Sequence, residues 1–399
     1  MAGITVPPAP AQPASQINGP IDGPILVLNS GSSSLKFGLF RQAAGAIPQD
    51  ESPVLTGSAT GIARDDGTLT IRASDGTTIL QRASLHESQT DALQTLSVAI
   101  QEHSGDAPIA VGHRVVHGGP NLRQHQRITP EVLSQLRAAT HFAPLHIPQA
   151  LAIIAAAQTI FPATAQFACF DTAFHQTLPE VAAHFPLPQK YFDEGIRRYG
   201  FHGLSYESLV HHFGPNLPAR AIFAHLGNGS SLCALRNGKS IDTTMGLTPT
   251  GGIPMATRSG DLDPGILLYL FRNQNLTADN LEDLLNHQSG LQALSQGESD
   301  VKALEALAAA NNPDAQFALD VFATAVRKSI GAYAALLGGL DLLVFTGGIG
   351  EHSTHIRAAA TQGLDQLGIP PQKIQIVPAQ EELQIARHCR RLLAPPPIS

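Results

Sequence analysis

Near its N-terminus the chain reads Ile25-Leu-Val-Leu-Asn29, Ser30-Gly-Ser-Ser-Ser34 and Leu35-Lys-Phe-Gly-Leu-Phe40. Two apolar, β-prone segments flank a run of glycine and serine residues that is typical of a turn. The sequence therefore predicts a β-hairpin at the start of a domain. Backbone N–H groups in a turn of small residues can approach an anion closely, and Lys36 adds a positive charge. Taken alone, the turn is also explained by a solvated, serine-rich hairpin.

A second turn of the same chemistry reads His225-Leu-Gly-Asn-Gly-Ser-Ser231 and follows a predicted strand at 221–226. A glycine-rich segment, Phe345-Thr-Gly-Gly-Ile-Gly-Glu351, follows another predicted strand. One such turn is weak evidence, but two turns and a third glycine-rich segment together predict a nucleotide-phosphate site. None of them has the GxxxxGK[ST] spacing, so a P-loop is excluded.

The order of elements repeats along the chain. Each serine-glycine turn joins two strands, and helices and further strands follow it. The pattern predicts a helix over 88–103, a strand over 109–116 and a longest helix over 315–337, with a long Gly/Pro/Thr loop, 244–264, interpreted as functional or lid-like. Mixed hairpins that lead into α/β units, twice over, predict two α/β lobes with a cleft between them.

Composition narrows the range of partners. The 399 residues carry a formal net charge of −7, which gives no reason to expect nucleic acid or an anionic membrane as a partner. No apolar run approaches the ~20 residues of a membrane span. The three cysteines form no CxxC pair, which favours a reducing, cytoplasmic location. Residues 1–24 are rich in Pro, Ala and Gln and are interpreted as a disordered extension.

Three cationic motifs and one carboxylate are candidates for chemistry. Arg114 lies in Gly112-His-Arg-Val-Val-His-Gly-Gly119, Arg258 precedes Ser-Gly-Asp-Leu-Asp-Pro, and His202 lies in Gly-Phe-His-Gly. Arginine suits a bidentate grip on carboxylate or phosphate, and a histidine donor can stabilise a transferring phosphoryl group. Asp171 follows a predicted strand at 166–170, where α/β sheets place working residues. Each residue alone could equally be structural.

Taken together and in order, these motifs resemble those of the acetokinase family, within the actin/Hsp70/sugar-kinase superfamily. The resemblance runs from about Ile25 to about Arg387 and also includes Phe170-Asp-Thr-Ala-Phe-His175 and Pro249-Thr-Gly-Gly-Ile-Pro-Met-Ala-Thr-Arg-Ser-Gly-Asp-Leu-Asp-Pro264. It implies an α/β, two-lobed, ribonuclease-H-like fold with ATP in a cleft between duplicated domains. The N-terminal lobe would comprise 25–171 and 384–399, and the C-terminal lobe 172–383.

The resemblance also implies a role for each matching position. Asn29 and Glu381, with Glu382 as the fallback, would hold Mg²⁺, with Mn²⁺ as an alternative. Arg114 would bind the substrate carboxylate, His202 and Arg258 would stabilise the transition state, and Asp171 would act as a base or as an orienting group. The ATP-binding residues would be Lys36, His225, Leu226, Gly227, Asn228, Gly229, Asp300, Val301, Lys302, Gly348, Ile349, Gly350, Glu351 and His352.

The implied reaction is the reversible, direct in-line transfer of the ATP γ-phosphoryl group to acetate, which gives acetyl phosphate and ADP. The implied assembly is a homodimer. Two positions, Lys302 and His352, depart from residues common in the family, which leaves the nucleotide preference open. The alternatives are a propionate or other short-chain carboxylate kinase and, in a different class, an actin- or Hsp70-like ATP switch.

The acyl side is predicted from residues near Arg114. Val116 would share a strand face with Arg114, Leu145 would form the opposite wall and Phe201 would close a small, dry pocket. Such a pocket favours acetate over propionate and propionate over butyrate.

Overall fold

The computed structural model describes residues 23–31, 34–42, 51–62, 67–83 and 88–394. The predicted disordered extension, apart from Gly23 and Pro24, lies outside the described residues, as do Ser32 and Ser33 of the first turn and residues 395–399 at the C-terminus.

The strands of the described residues are numbered in chain order. They are β1 Ile25–Ser30, β2 Ser34–Gln42, β3 Glu51–Thr60, β4 Thr68–Ala73, β5 Thr78–Ala83, β6 Ala110–Val115, β7 Gln126–Arg127, β8 Ala165–Phe170, β9 Arg220–Leu226, β10 Ser230–Arg236, β11 Lys239–Thr243, β12 Leu342–Thr346 and β13 Ile374–Ile376.

The α-helices are numbered in the same way. They are α1 Gln89–Ser104, α2 Pro130–Ala138, α3 Ile147–Ile160, α4 Glu180–Ala183, α5 Gln189–Asp193, α6 Gly203–Phe213, α7 Pro264–Asn273, α8 Ala278–His287, α9 Gly290–Leu294, α10 Val301–Ala309, α11 Pro313–Leu337, α12 Gly347–His352, α13 Thr354–Thr361 and α14 Glu381–Leu393.

Two sheets share one plan, as the sequence predicted. The first has the order β5-β4-β3-β2-β1-β6-β8-β7 and the second β11-β10-β9-β12-β13. In each, the hairpin strands pair antiparallel, β1 with β2 and β9 with β10. In each, the first hairpin strand also pairs parallel with a later strand, β1 with β6 and β9 with β12. The predicted pair of α/β units is therefore confirmed.

The hairpin strands form where the sequence predicted them because their side chains are apolar and buried. Five of the six residues of β1, from Ile25 to Asn29, are buried. Parallel sheets carry such strands at their centre, covered on both faces. Helix α1 begins where predicted, since Ser88 caps it and Asp91 completes a reciprocal capping box.

Helix α14 closes the first sheet, although it comes from the far end of the chain. Ile385 and Cys389 pack in one core with Ile25 and Val27 of β1. A Cβ at Gly112 on β6 would lie 2.6 Å from both Cys389 Sγ and Ile385 Cγ2. Only glycine therefore lets this helix approach the strand so closely.

Helix α6, which the sequence did not predict, lies between the two sheets. Leu204 packs in the core of the first sheet, whereas Tyr206 and Leu209 pack in the core of the second. The strand β3 was also not predicted, because its sequence of Ser, Thr, Gly and Pro residues lacks apolar alternation. These two elements gave no periodic signal of their own.

The 244–264 loop is firmly attached to the second lobe. Its backbone bonds to the loop and helix that follow α8, through Ser289 N–H to Thr257 O at 3.0 Å and Leu291 N–H to Met255 O at 2.8 Å. Met245 and Met255 are fully buried. These bonds, which the loop carbonyl groups accept, attach the loop to neighbouring segments in this structure, and its interpretation as functional or lid-like stays a prediction.

Among the described residues, no helix is both long and apolar enough to cross a membrane. The three cysteines are free thiols and are buried.

Candidate active site

A cleft with a volume of ≈ 1090 Å³ opens where the two hairpin turns and the start of α14 meet. Most of the predicted site residues line it. They are Asn29, Lys36, Arg114, His202, His225, Gly227, Asn228, Gly229, Asp300, Val301, Lys302, Gly348, Ile349, Glu351, His352 and Glu381. Residues far apart in the sequence thus meet at one site.

The remaining predicted residues do not line this cleft. Leu226 is buried in the core of the second sheet, and Gly350 is buried inside α12 against Phe345. Asp171 and Arg258 lie next to residues that line the cleft: Asp171 contacts Arg114. Arg258 lies near Gly229. Three predicted acyl-side residues lie outside the cleft lining: Val116, Leu145 and Phe201.

Arg114 lies near the end of β6 and is held on two sides. Its Nη2 donates to Asp171 Oδ2 at 2.5 Å, and its Nη1 donates to Asn29 Oδ1 at 3.2 Å. Its Nε lies 4.0 Å from Glu381 Oε2. Parallel pairing of β1 with β6 and of β6 with β8 brings these side chains to one edge of the sheet. The guanidinium is therefore a fixed cation facing the cleft.

Asp171 is buried directly after β8. Its Oδ1 is buried and has no hydrogen-bond partner within the described residues. Burial raises the pKa of Asp171 to about 6, against the lowering effect of the adjacent Arg114 charge. This carboxylate supports the arginine and also retains an acceptor that a ligand or water could use.

The start of α14 supplies two carboxylates to the cleft. Glu382 Oε1 accepts a hydrogen bond from Asn29 Nδ2 at 2.9 Å, and Glu381 faces Arg114. Carboxylate and amide oxygens are the ligands that Mg²⁺ prefers, together with waters. The donor set, with the unpartnered Asp171 Oδ1 beside it, fits a hard divalent cation. Asn29 contacts Glu382 directly. Glu381 and Glu382, the two candidate metal ligands of α14, therefore lie at the same site.

His202 is the N-cap residue of α6 and has a left-handed backbone, with φ 57°. A non-glycine residue in this conformation is uncommon and concentrates at functional sites. The His202 ring stacks on His225, with ring centroids 4.3 Å apart. Burial lowers the pKa of His202 well below its ordinary value, and the nearby His225 and Arg114 lower it further. His202 is therefore a neutral imidazole near pH 7.

Two donors converge on the second hairpin turn. A Cβ at Gly229 would lie 3.3 Å from His202 Nε2 and 3.5 Å from Arg258 Nη1. The turn is rigid, since Gly227 N–H donates to Gly229 O at 3.1 Å and Ser230 Oγ donates to Gly227 O at 2.9 Å. A glycine at this position leaves space that both donors face, which suits a phosphoryl group.

Arg258 is a cation without a counter-charge in the described residues, where no salt bridge includes it. Its Nη1 donates to Pro249 O at 3.3 Å, within the same loop. Burial lowers the pKa of Arg258, and the charge of Arg114 adds to the effect. Two partly buried arginines near each other are electrostatically unfavourable unless an anion joins them.

The far end of the cleft is formed by α10 and α12. The predicted glycine-rich turn after β12 is in fact helical, since α12 begins at Gly347. Glu351 Oε1 accepts from the backbone N–H groups of Gly347 and Ala379, at 3.0 and 3.1 Å, so it fixes the helix end. Asp300 caps α10 by accepting from Ala303 N–H at 2.9 Å. Both helix N-termini thus border the cleft.

The predicted acyl-side residues do not all belong to one cluster, and their role stays a prediction. Val116 packs in a buried cluster with Phe201, Met245 and Met255. Strand β6 ends at Val115, so Val116 lies beyond the strand and not on a regular face with Arg114. Leu145 is 38% exposed and does not belong to this cluster. Met245 and Met255, from the 244–264 loop, complete this cluster, which no local pattern could indicate.

His146 is a further candidate residue that the sequence reasoning did not name. Burial lowers the pKa of His146 to about 4, and the charges of Arg258 and Arg114 lower it further, which places the ring near both arginines. Its neighbours Leu145 and Pro148 read as an ordinary loop before a helix. The nearness of His146 to the two arginines depends on tertiary packing and has no signal in the local sequence.

A second group of polar side chains lies behind the site, where Glu207 of α6 meets His125 and His388. His125 Nε2 is 3.2 Å from both carboxylate oxygens, and His388 Nε2 is 2.5 Å from Oε2. The Nδ1 atoms accept hydrogen bonds from Phe170 N–H and Arg391 Nη2, at 3.0 and 2.9 Å. Histidines that bind metal donate from their second nitrogen, so this group is a hydrogen-bonded cluster and not a metal site.

The two sheets of one plan, the paired hairpin turns and the cationic cleft define the chain as a phosphotransferase of the ribonuclease-H-like fold. The sequence model described as the acetokinase family matches residues 24–387, and the chain belongs to the acetokinase family. It is 39% identical to an acetate kinase from Methylocella silvestris, over 92% of this chain and 98% of the relative.

Two solved structures are similar over nearly the whole chain. A propionate kinase from Francisella tularensis superposes with a TM-score of 0.83 at 35% identity, covering 92% of this chain and 98% of that one. An acetate kinase from Porphyromonas gingivalis gives 0.81 at 32% identity, covering 93% and 100%. The resemblance drawn from the sequence motifs is confirmed.

Proposed function

We propose that this protein is an acetate kinase, which reversibly transfers the γ-phosphoryl group of ATP to acetate and forms acetyl phosphate and ADP. The observation that carries the proposal is the convergence of His202 Nε2 and Arg258 Nη1 on Gly229, beside a cleft that Arg114 also lines. A carboxylate that attacks ATP is an anion approaching a polyanion. Positive charge and fixed donors are therefore the main catalytic requirement.

Each site residue has a task in this reaction. Arg114, oriented by Asp171 and Asn29, binds the acetate carboxylate. His202 and Arg258 stabilise the charge on the phosphoryl group as it passes between the two oxygens. Acetate is ionised near pH 7, so no proton has to be removed from the nucleophile. The burial of Asp171 against Arg114 supports an orienting role in preference to a general base.

A divalent cation completes the site, and Mg²⁺ is the proposed ion, with Mn²⁺ as an alternative. Glu381 and Glu382 would hold it, with Asn29 placed beside Glu382. When bound, such a cation neutralises charge on the β- and γ-phosphates. Glu381→Gln should raise the Mg²⁺ concentration that gives half-maximal activity, with a smaller effect on the acetate KM.

The remaining ATP contacts are proposed from the cleft lining. Lys36 and the 225–229 turn would contact the phosphates. The nucleoside would lie between α10 and α12, beside Lys302 and His352. We assign 25–171 and 384–399 to the lobe that binds the acyl substrate and 172–383 to the lobe that binds nucleotide; the packing of α14 on β1 supports this division.

The homodimer is proposed from the family resemblance, and helix α7 supports it. This helix is apolar from Ile266 to Phe271, and none of its residues is buried. Its exposed members include Ile266, Leu268, Tyr269 and Phe271. A contiguous exposed apolar surface marks an interaction site. A second copy of the chain would cover it, and Leu268→Glu should shift the mass measured by light scattering to that of a monomer.

The proposal is tested by trapping the acyl phosphate with hydroxylamine, with acetate, propionate and butyrate in parallel. We expect acetate to give the highest kcat/KM and butyrate to give the lowest. Preference for propionate would favour the propionate kinase alternative, in keeping with the Francisella structure. ADP release that does not depend on any carboxylate would favour an ATP switch, although a switch has no need of Arg114.

A further inference from the structure

We propose that Tyr206 and Ser231 form a hydrogen-bonded relay that fixes His202 in the tautomer with its proton on Nε2. In this tautomer, His202 presents an N–H group to the transferring phosphoryl group. The inference rests on the proposed function, because that function gives His202 its task. Tyr206 and Ser231 are thereby assigned as positioning residues that act through His202.

The relay is continuous and short. His202 Nδ1 lies 2.8 Å from Ser231 Oγ, and the Tyr206 hydroxyl lies 2.6 Å from the same oxygen. His202 and Tyr206 are four residues apart on α6, so they share one face of that helix. Ser231 comes from β10, directly after the second hairpin turn. The two elements that bound the cleft therefore meet at this serine.

The direction of the hydrogen bonds follows from the surroundings of Tyr206. Within the described residues, Ser231 Oγ is the hydrogen-bond partner of the buried Tyr206 hydroxyl, so the phenolic O–H donates to Ser231 Oγ. Ser231 then directs its own O–H to His202 Nδ1. An imidazole that accepts at Nδ1 carries its single proton on Nε2 when it is neutral.

Burial keeps this arrangement intact. Tyr206 and Ser231 are fully buried, so water does not compete for their hydroxyl groups. Burial raises the pKa of Tyr206 well above its ordinary value, so the phenol stays protonated. Burial also lowers the pKa of His202, so the ring stays neutral. Every proton in the relay is thus retained near neutral pH.

The free nitrogen of His202 points toward the reaction site. Its Nε2 faces the space above Gly229, together with Arg258 Nη1. With the proton on Nε2, this atom donates to an anion in that space. With the proton on Nδ1, a lone pair would face the anion and repel it. The tautomer therefore decides whether His202 stabilises or opposes charge on the phosphoryl group.

The chain contains a matched pair for comparison. His175 Nδ1 lies 2.8 Å from Ser240 Oγ, and its Nε2 lies 2.9 Å from Phe201 O, a backbone acceptor. Both residues are buried and do not line the cleft. Ser240→Ala therefore removes the same kind of serine–histidine hydrogen bond, but it leaves His202 and its Nε2 atom unchanged.

The test combines spectroscopy and kinetics. Long-range ¹H–¹⁵N spectra of ligand-free protein labelled with ¹⁵N-histidine, with His202 assigned through His202→Gln, should show the Nε2–H tautomer. Ser231→Ala should introduce the Nδ1–H form and lower kcat by about tenfold or more, with KM for ATP and acetate nearly unchanged. Ser240→Ala should lose comparable thermal stability and retain kcat.

Two results would overturn the relay: an Nδ1–H tautomer in the wild type, or an unchanged kcat in Ser231→Ala when His202→Gln lowers kcat. If Ser231→Ala does not fold, Tyr206→Phe serves instead, and it should give a mixture of tautomers and a reduced kcat. An Nε2–H tautomer with no loss of kcat in His202→Gln would retain the relay but remove the catalytic role of His202. The failures of the two proposals are thus distinguishable.

Discussion

Arg114 donates a 2.5 Å hydrogen bond to Asp171 Oδ2, and Asp171 lies buried behind it. Asn29 Oδ1 accepts from the other terminal nitrogen of the same guanidinium. An arginine held on two sides before substrate arrives loses little side-chain entropy on binding. The cleft therefore contains a preorganised guanidinium, which suits the carboxylate-binding role proposed for Arg114.

Arg114→Ala should raise the KM for acetate far more than the KM for ATP. A charge-assisted hydrogen bond contributes roughly 1.5–3 kcal/mol, which corresponds to an increase of about 10- to 150-fold. Initial rates at varied acetate and saturating MgATP measure the effect. Arg114→Lys, which keeps the charge but loses the planar fork, should recover only part of it. An unchanged acetate KM in a folded variant would contradict the assignment.

Asp171→Asn should act through Arg114. If the carboxylate only orients the guanidinium, the double variant Arg114→Ala/Asp171→Asn should have the same kcat/KM for acetate as Arg114→Ala alone. Residues that share one function are non-additive, whereas independent roles add. The measurement is kcat/KM for acetate in the complete double-mutant cycle near pH 7. Additive losses would restore the general-base role for Asp171.

Arg258→Ala should lower kcat by about 10²–10³-fold with a smaller change in either KM, since the residue is proposed to act on charge that develops during transfer. Its partly buried guanidinium has no acidic partner in the described chain, so removing it leaves no carboxylate unpaired. Loss of binding with kcat retained would show instead that Arg258 is a substrate-binding residue.

Much of the fold could be predicted because its signals are local. The β1–β2 and β9–β10 hairpins, the capping box of α1 and the long helix α11 each follow from neighbouring residues. Helix α6 could not be predicted, since it packs on both sheets and shows no single apolar face. Strand β3 is held by pairing with β2 and β4, and its Ser/Thr/Gly sequence carries no strand signal.

The residues of the candidate site also fall into two groups: those that the local sequence could indicate and those that depend on tertiary packing. Residues within a turn or motif, such as Gly229 or Arg114, could be assigned from their sequence surroundings. His146 could not, because only tertiary packing brings it near the arginines. The neighbours of Val116 could not be assigned for a related reason: Met245 and Met255 pack against it from a loop far along the sequence.

Glu207→Gln should lower the thermal unfolding midpoint near pH 7, because two histidines would lose their acceptor. Burial opposes ionisation of Glu207, but the hydrogen bonds from His125 and His388 lower its pKa to about 2. Its unfolded pKa is about 4.3. The depressed folded value means that the stabilisation is complete above about pH 4.3 and is lost as the pH falls toward 2.

Unfolding midpoints of wild type and Glu207→Gln, measured by calorimetry from pH 7 down to about pH 2, should therefore differ by a constant amount above about pH 4.3 and converge below it. The control is Glu180→Gln, which alters an exposed Glu–His pair with His184. An exposed pair contributes roughly 0–1 kcal/mol, so that variant should match the wild type. A constant difference at every pH would contradict the role given to the carboxylate.

Acyl chain length gives the last test. Val116 packs against Phe201, Met245 and Met255 in a buried apolar cluster. Phe201 directly precedes His202 in the sequence. Val116→Ala removes two methyl groups from this cluster and should narrow the ratio of kcat/KM between acetate and propionate. One methylene is worth ~1–3 kcal/mol in such a pocket, so a shift of several-fold is measurable. Val181→Ala, the same change at a side chain that is 88% exposed, should leave the ratio unaltered. If Val116→Ala leaves it unaltered as well, this cluster does not form the wall that meets the acyl group.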